Sequence, residues 1–381
     1  MKNQNEKFML SALKLAKKGI GSVEPNPAVG AILVKDGQII GKGYHKKFGG
    51  PHAEINAIED CKKQGCNPSG ATMYVTLEPC CHQGKTAPCT DAIIEAGLSK
   101  VVIAMIDPSE HAKGLRLGTP YGGGIEQLRS AGIEVQAGLC ESEAKLLNAP
   151  FVKYAATGKC WVIVKWAQSI DGKLSYADGG RERWISNEQS RKDAHKLRRR
   201  VQGILVGIET VLADDPLLTP RPSRGKRPVR IILDSRLRIP ANCRLLSTTE
   251  EGPVLIVTSD EAIGLKPELV GSIIQAGAEL LTVPAQQARC DLGSVINELS
   301  KRGIAQLLVE GGPRVIASFL EENLADEVRV YIAPKILGKS GSADISEPMA
   351  GLMKGLGLHY VDIKRFGDNV RISGLLGEKI S

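Results

Sequence analysis

The sequence runs Pro51-His52-Ala53-Glu54, then Glu78-Pro79-Cys80, and after eight further residues reaches Cys89, preceded by Pro88. His52 begins a stretch with helical spacing of its apolar residues. Cys80 follows a short apolar strand predicted at 73–77, and Cys89 precedes a helix predicted at 90–96. One histidine and two cysteines are therefore expected at the ends of elements that belong to one α/β domain.

These residue types suit a catalytic zinc ion. Such an ion takes three protein ligands and leaves a fourth position to water. Glu54 lies two residues after His52, so its carboxylate can project toward that water and move protons instead of binding the metal. H-x-E followed by two cysteines is typical of zinc-dependent deaminases of nitrogen heterocycles, in which only two residues separate the cysteines.

A closed, structural zinc site is the alternative interpretation. It requires a fourth protein ligand, which Cys81 or His82 could supply. A lone histidine or a cysteine-containing loop is more often structural than catalytic. The conjunction of His52, Glu54, an intervening strand and Cys80 favours the catalytic interpretation.

The chain length predicts two domains, because 381 residues exceed the usual size of a single core. Strands predicted at 29–35, 73–77, 101–105 and 132–136 alternate with helices, which indicates a layered α/β domain over residues 1–148. Residues 148–159 are predicted to cross to a second α/β domain over residues 155–381. Its strands are expected at 161–166, 203–206, 229–233, 254–257, 307–309 and 328–332, the last of which closes the series. Ser186, with Gln189 three residues later, is predicted to cap a basic helix that extends to about Arg200.

The charge distribution points to an anionic ligand. The chain has 50 Lys and Arg against 42 Asp and Glu, and residues 196–238 alone hold eleven basic and four acidic residues. A phosphorylated ligand or a polyanion would explain this bias, and a solvated helix face with a loop is the alternative. Aromatic residues make up 4% of the chain, which argues against a surface that stacks single-stranded nucleic acid.

The remaining composition predicts a cytoplasmic protein. No run of about 18 apolar residues occurs, so we expect no membrane span. Residues 1–19 lack a continuous apolar run and a small-residue cleavage site, so we expect no signal peptide. Nine cysteines, an odd number scattered over a long chain, form a poor disulfide framework and fit a reducing compartment.

Several motifs resemble one family, the bifunctional deaminase/reductase of riboflavin biosynthesis. In the first half they are Asn26-Pro27-Ala28-Val29-Gly30, His52-Ala53-Glu54 and Thr76-Leu77-Glu78-Pro79-Cys80-Cys81-His82-Gln83-Gly84-Lys85-Thr86-Ala87-Pro88-Cys89. In the second half they are Ser169-Ile170-Asp171-Gly172-Lys173, Trp184-Ile185, residues 210–216 with Leu218-Thr219, Leu233-Asp234-Ser235 and Val309-Glu310-Gly311-Gly312-Pro313. The eight-residue spacer between the cysteines matches this family.

The resemblance implies a cytidine-deaminase-like three-layer αβα domain followed by a dihydrofolate-reductase-like α/β domain. It also implies two consecutive reactions. Zinc-dependent deamination of 2,5-diamino-6-(5-phosphoribosylamino)pyrimidin-4(3H)-one would come first, and NADPH would then reduce the ribosyl side chain to ribityl. One zinc ion per chain, NADPH and a homo-oligomer formed through the reductase domain are expected, with a small phosphorylated pyrimidine and no nucleic acid or membrane as partner.

The resemblance assigns roles to individual residues. His52, Cys80 and Cys89 would bind zinc, and Glu54 would be the proton shuttle. In the deaminase half, Asn26, His82 and Lys85 would contact the substrate. In the reductase half, the substrate contacts would be Arg198, Leu218, Arg221 and Glu310. The NADPH contacts would be Ala167, Trp184, Thr210, Asp214, Ser235, Gly312, Pro313, Arg314, Val315, Ile316, Ala317 and Ser318.

Two of these assignments also follow from the residues themselves. The turn at Glu310-Gly311-Gly312 follows an apolar strand and precedes a helix, so the backbone can approach a phosphate closely and offer it free N–H groups. An ordinary strand-to-helix turn is the alternative. Arg198 and Arg221 lie in the basic stretch, and guanidinium groups bind phosphate by paired hydrogen bonds.

The sequence departs from the family pattern in three places. Cys81 and Ala87 stand where the family has serine and proline. The loop over residues 107–124 is longer than usual. Glu182 replaces a serine, and one residue is inserted between Asp171 and Trp184.

Three other functions remain open at this point. A nucleic-acid deaminase that acts on a flipped base would explain the His52-Ala53-Glu54 motif but not the long spacer or the second half. A structural zinc module fused to a nucleotide-binding domain would have no activity. A chain active in only one of its halves is the third alternative.

Overall fold

The computed structural model describes residues 3–82, 87–109, 123–177, 184–222, 227–286 and 288–377. The chain folds as two compact units, and the division falls between Gly158 and Lys159. Each unit has its own hydrophobic core. Lys85 and Glu182, which the sequence analysis singled out, lie outside the described residues.

The first unit is a five-stranded sheet with helices on both faces. Its strands are β1 (Gly30–Lys35), β2 (Gln38–Tyr44), β3 (Thr72–Leu77), β4 (Lys100–Met105) and β5 (Glu134–Ala137), in the order β2-β1-β3-β4-β5. Its helices are α1 (Gln4–Ala16), α2 (Ala53–Lys63), α3 (Cys89–Glu95), α4 (Gly124–Ser130), α5 (Glu141–Leu147) and α6 (Ala149–Thr157). Strands β3, β4 and β5 are parallel, whereas β1 is antiparallel to both of its neighbours.

Glycines in the first two strands allow helices to pack closely on opposite faces of the sheet. A Cβ atom on Gly30 would lie 2.1 Å from the Ala12 carbonyl oxygen of α1. On the other face, a Cβ atom on Gly43 would lie 2.2 Å from the Ala53 carbonyl oxygen of α2. Gly43 pairs with Ala31, so these two residues point to the same face of the sheet. Gly30 precedes Ala31 in β1 and points to the other face, because successive residues of a strand alternate between faces. The absence of side chains at these two positions thus allows the close helix packing of the predicted three-layer arrangement.

The second unit contains a nine-stranded sheet, and in the described residues four further strands form two small two-stranded sheets. Its strands are β6 (Trp161–Gln168), β7 (Lys173–Tyr176), β8 (Gly203–Gly207), β9 (Val229–Leu233), β10 (Val254–Thr258), β11 (Glu279–Thr282), β12 (Ala285–Gln286), β13 (Arg289–Cys290), β14 (Gln306–Val309), β15 (Glu327–Ile332), β16 (Gly341–Asp344), β17 (His359–Phe366) and β18 (Asn369–Leu375). Its helices are α7 (Glu188–Arg200), α8 (Ile208–Asp214), α9 (Asp260–Leu265), α10 (Pro267–Gln275), α11 (Leu292–Lys301), α12 (Pro313–Glu321) and α13 (Ser346–Met349).

The order of the large sheet brings the ends of distant strands together. It runs β11-β10-β9-β8-β14-β6-β15-β18-β17, and all neighbours are parallel except β18, which is antiparallel to β15 and β17. The carboxyl ends of β6, β8, β9 and β14 therefore lie along one edge, which is where ligands bind in open α/β sheets.

Three local predictions were wrong. The segment predicted to cross between domains contains helix α6, which belongs to the first unit. Asn187, not Ser186, caps α7: its side chain accepts the Ser190 N–H at 2.9 Å. The predicted last strand does not close the series, because the hairpin β17–β18 extends the sheet beyond β15. Most residues of β17 are exposed, so this strand lacks the apolar alternation that would have indicated it.

No helix in the described part of the chain is long and apolar enough to span a membrane.

Replacing Gly43 by alanine should push α2 away from β2. We expect a loss of about 1–3 kcal/mol in the unfolding free energy of the first unit, because overpacking forces the backbone to move. Chemical denaturation monitored by circular dichroism would measure this loss. Gly271→Ala, in α10, is the matched control, because a Cβ atom added to Gly271 would meet no atom within 4 Å. Equal stability of the two variants would contradict the close-packing argument.

Candidate functional site

The structure brings His52, Cys80 and Cys89 together from three different elements. His52 is the N-cap residue of α2, Cys80 follows β3, and Cys89 is the first residue of α3. The Nδ1 atom of His52 lies 3.2 Å from the Cys89 sulfur and 3.5 Å from the Cys80 sulfur. The three candidate ligand atoms all lie within 4.8 Å of one another.

These distances fit a tetrahedral zinc site. Zinc–sulfur and zinc–nitrogen bonds of about 2.3 and 2.0 Å place neighbouring tetrahedral ligands roughly 3.5 Å apart. Among the described residues, the group that could hold a metal ion consists of these three and includes neither Cys81 nor His82. Three protein ligands leave one position open, which favours a catalytic site over a closed structural one.

The surroundings of Cys80 favour its thiolate. Hydrogen bonding from the Cys89 thiol is the largest cause that lowers the pKa of Cys80, to about 4, and His52 adds to it. The Cys89 N–H at the start of α3 also donates to the Cys80 sulfur, at 3.4 Å. The pKa of Cys89 is raised, because it donates to a neighbour that already carries the negative charge. A divalent cation would remove this asymmetry by stabilising both thiolates.

Glu54 lies in the first turn of α2 and is almost fully buried, with 3% of its surface exposed. Its Oε2 atom has no hydrogen-bond partner among the described residues. Burial, together with the negative charge of Cys80, raises the pKa of Glu54 to about 7. A carboxyl group with such a pKa both accepts and releases a proton near neutral pH, as a proton shuttle requires.

His45 also contributes to this site and is absent from the residues predicted for it. Its ring packs edge-on against His52, with 5.3 Å between the ring centroids. The Nδ1 atom of His45 lies 3.1 Å from the Pro51 carbonyl oxygen, and its backbone N–H donates to Val29. Burial lowers the pKa of His45. His45 therefore supports the His52 ring as a neutral side chain and connects it to the segment that contains Asn26.

The predicted substrate contacts of the first unit are only partly described. Asn26 is half-buried in the turn before β1. The backbone two residues later is fixed by the buried Asn148, whose side chain accepts the Ala28 N–H at 2.8 Å and donates to its carbonyl at 3.0 Å. His82 is half-buried after Cys81. The roles of Asn26, His82 and Lys85 stay predictions.

A buried ionic cluster forms the candidate site of the second unit. The guanidinium group of Arg198 on α7 binds the Glu310 carboxylate with both Nε and Nη2, at 3.1 and 2.5 Å. Its Nη1 atom donates to the Thr219 carbonyl at 3.2 Å, beside Leu218. The Nζ atom of Lys165, on β6, lies 3.8 Å from the Oε1 atom of Glu310. Lys165 is absent from the residues predicted for this site, although a lysine within an otherwise apolar strand is a usable signal.

The electrostatics of this cluster favour an anionic ligand. Burial of Glu310 would raise its pKa, but Arg198 and Lys165 outweigh this effect and hold it at about 2. Burial lowers the pKa of Lys165, against the attraction of Glu310. Arg221 adds a further cation nearby, because its charge acts on His195, on which the charges of Arg198, Glu310 and Lys165 also act. Three cations thus face one carboxylate among the described residues, and a phosphate would balance them.

The predicted cofactor residues follow the strand ends at one edge of the large sheet. Ala167 lies on β6, Thr210 and Asp214 on α8 after β8, and Ser235 after β9. Gly312 is the N-cap of α12, and a Cβ atom added to it would lie 3.6 Å from the Thr210 hydroxyl. Residues Pro313, Arg314, Val315, Ile316, Ala317 and Ser318 form the first turns of α12. Trp184 is about half exposed, with the Arg191 guanidinium 5.4 Å from its ring centroid.

Both halves of the chain match known family models. Residues 2–105 match the zinc-binding region of cytidine and deoxycytidylate deaminases, and residues 160–370 match the RibD C-terminal domain. The riboflavin biosynthesis protein RibD of Aquifex aeolicus is 44% identical over 88% of each chain. The chain belongs to the RibD family. RibD proteins are riboflavin biosynthesis enzymes. As the two family models indicate, the chain combines a zinc-binding deaminase domain with a reductase domain.

Solved structures of RibD proteins show the same fold along the whole chain. RibD of Acinetobacter baumannii is 34% identical, with a TM-score of 0.80, and covers 98% of this chain and 99% of its own. A Thermotoga maritima protein described as a diaminohydroxyphosphoribosylaminopyrimidine deaminase/5-amino-6-(5-phosphoribosylamino)uracil reductase is 37% identical, with a TM-score of 0.81 and the same coverage. The predicted fold class, a cytidine-deaminase-like domain followed by a dihydrofolate-reductase-like domain, is confirmed.

Replacing Cys89 by serine should remove zinc from this RibD protein, because a serine hydroxyl does not ionise as a thiol does. We expect zinc affinity to fall by more than the roughly 10- to 100-fold that loss of an outer-shell partner costs. Metal content after dialysis would be measured by mass spectrometry. Cys81→Ser is the control and should keep its zinc. An equal loss in both variants would support a closed site with four protein ligands.

Replacing Glu310 by glutamine should destabilise the second unit by roughly 3–5 kcal/mol, because buried Arg198 and Lys165 lose their counter-charge. The pKa of Glu310 is about 2 in the folded protein and 4.5 ordinarily. Its contribution to the unfolding free energy is therefore fully present above pH 4.5 and is lost as the pH falls through about 2. Chemical denaturation at pH 7 tests the change. Glu298→Gln removes an exposed pair with Lys301 and should cost less than about 1 kcal/mol; similar losses would refute the argument.

Proposed function

We propose that the first unit, predicted as residues 1–148, deaminates 2,5-diamino-6-(5-phosphoribosylamino)pyrimidin-4(3H)-one, and that the second unit, predicted as residues 155–381, then reduces the ribosyl side chain to ribityl with NADPH. The observation that carries the proposal is the convergence of His52, Cys80 and Cys89 beside the buried carboxyl of Glu54. The description of the Thermotoga maritima relative supports the same pair of substrates.

In the deaminase half, one zinc ion would be held by His52, Cys80 and Cys89. When bound, it supplies Lewis acidity that lowers the pKa of water toward 7. Glu54 takes a proton from the attacking water and delivers it to the ring nitrogen. A second transfer through the same carboxyl protonates the departing amine, so oxygen replaces the exocyclic amine and ammonia leaves. Asn26, His82 and Lys85 hold the substrate during these steps.

In the reductase half, Arg198, Leu218 and Arg221 hold the phosphorylated end of the substrate, and Glu310 orients Arg198 through its paired hydrogen bonds. NADPH would lie along the strand ends, on Ala167, Trp184, Thr210, Asp214, Ser235 and the first turns of α12, where it supplies hydride. The ribosyl C1′ accepts that hydride, which requires an open-chain imine or its equivalent. Alignment of the two reactants accounts for most of the catalysis in such a site.

We further propose a cytoplasmic homo-oligomer formed through the reductase domain. All nine cysteines are free thiols, which fits a reducing compartment. The strand β17 lies at an edge of the large sheet and exposes Tyr360, Val361 and Ile363. Exposed apolar edge strands are natural sites for association with a second copy. The substrate is a small phosphorylated pyrimidine, with neither nucleic acid nor membrane as partner.

The proposal is tested by supplying the diaminopyrimidine ribotide with and without NADPH and identifying the products by mass spectrometry. The deaminated ribosyl compound should accumulate without NADPH, and the ribityl compound should appear with it. Ammonia release from RNA or DNA, with none from the free ribotide, would instead support the nucleic-acid deaminase. Product from one step only would show that a single half is active.

Two variants separate the steps. Glu54→Gln should lower the rate of ammonia release by roughly 10²–10⁴-fold, because proton transfer is lost, while zinc content and reduction of deaminated substrate persist. Arg221→Ala should raise the KM of the reductase for its phosphorylated substrate without changing deamination. Arg302→Ala, which removes an exposed pair with Glu279, is its matched control. Full ammonia release by Glu54→Gln, or equal effects of Arg221→Ala on both steps, would refute the assignments.

A further inference from the structure

A histidine lies beside the ionic cluster of the second unit and has no role in the proposed function. His195 is on α7, three residues before Arg198, so the two side chains share one face of the helix. Arg198 binds Glu310, which in turn lies 3.8 Å from Lys165 of β6. His195 is therefore next to a buried ion pair that joins α7 to the ends of two strands.

The Nδ1 atom of His195 is buried and has no hydrogen-bond partner among the described residues. A buried donor or acceptor without a partner is unfavourable, and few such groups occur in native proteins. The arrangement becomes favourable when a ligand supplies the missing partner.

The charges that face His195 come from four parts of the fold. They are Arg198 on the same helix, Glu310 after β14, Arg221 in the loop after α8, and Lys165 on β6. Three of the four are cations. Burial, followed by the repulsion from Arg198, lowers the pKa of His195 to about 4, so its imidazole is neutral at pH 7.

We propose that His195 is an additional phosphate-site residue of the reductase half, neutral in the free enzyme, which takes up one proton from solvent when the phosphorylated ribosyl group binds. This inference rests on the proposed function, because it requires the phosphate to bind at Arg198 and Arg221. A phosphate dianion changes the balance of three cations and one carboxylate to near neutrality. It also provides oxygen atoms that accept hydrogen bonds from an imidazolium ring.

The pH dependence follows from the direction of this change. Because the pKa of His195 is higher in the complex than in the free enzyme, the extra affinity is fully present below about pH 4 and is lost as the pH rises through the pKa of the complex. A return of that pKa to the ordinary 6.5 corresponds to a roughly fourfold gain in affinity at pH 6 and almost none at pH 8.5.

Calorimetric titration of the full chain with ribose 5-phosphate tests the inference. Each titration is run at pH 6 in two buffers that differ in ionisation enthalpy, which gives the number of protons taken up per bound ligand. The wild type should take up roughly half a proton or more beyond the value for His195→Gln, since glutamine keeps hydrogen-bonding capacity but does not titrate. The ionisation of the phosphate itself contributes equally to both proteins.

The affinity ratio of wild type to His195→Gln should also fall roughly fourfold between pH 6 and pH 8.5. His359→Gln makes the same chemical change at the start of β17 and should behave as wild type. Because these variants lie in the second unit, which has its own core, circular dichroism and thermal unfolding of every variant report whether that unit is folded.

The outcomes distinguish the inference from the proposed function. If the wild type binds ribose 5-phosphate and Arg221→Ala binds it more weakly, the phosphate site is supported. Retained binding, with equal proton uptake and parallel pH profiles in wild type and His195→Gln, would overturn the role of His195 alone. Failure of the wild type to bind ribose 5-phosphate, or binding unaffected by Arg221→Ala, would overturn the phosphate site and the inference together.

Discussion

The contact of the His52 imidazole with the sulfurs of Cys80 and Cys89 is the constraint on which the deaminase site depends. It joins the start of α2 to the loop after β3 and to the first residue of α3. Because α2 can approach β2 only where Gly41 and Gly43 lack side chains, the packing of the sheet also sets the position of His52. Glu54 is carried to the same place by the same helix, so the candidate ligand and the proposed proton shuttle are positioned together.

The two sites of this RibD protein use burial in opposite ways. In the first, burial and the thiolate of Cys80 raise the pKa of Glu54 to about 7, where it can exchange protons. In the second, Arg198 and Lys165 overcome burial and hold the pKa of Glu310 at about 2, so that it stays ionised. A buried carboxyl without a cationic partner therefore suits proton transfer, whereas one paired with cations holds them in place for the proposed anionic substrate.

Much of the fold could be predicted because its signals are local. The apolar strands β1, β3, β4, β9 and β14 are buried on both faces and bounded by turn residues, and each was placed within one or two residues of its observed position. The hairpin β17–β18 was missed because β17 is exposed and lacks a buried face. Helix α6 lies in the segment predicted as a linker, because Pro150 and Gly158 are also typical of loops. In the structure, Pro150 lies in the first turn of the helix and Gly158 is its C-cap.

By itself, the sequence determined the chemistry that is available: the candidate zinc ligands, the adjacent glutamate, the basic stretch and the order of two α/β domains. These follow from residue type and spacing, which are properties of short segments. Only the tertiary structure decided that His45 supports His52, that Lys165 shares Glu310 with Arg198, and that His195 faces three cations. Such contacts join residues far apart in the chain, and the distance and burial that set their energies exist only after the chain has folded.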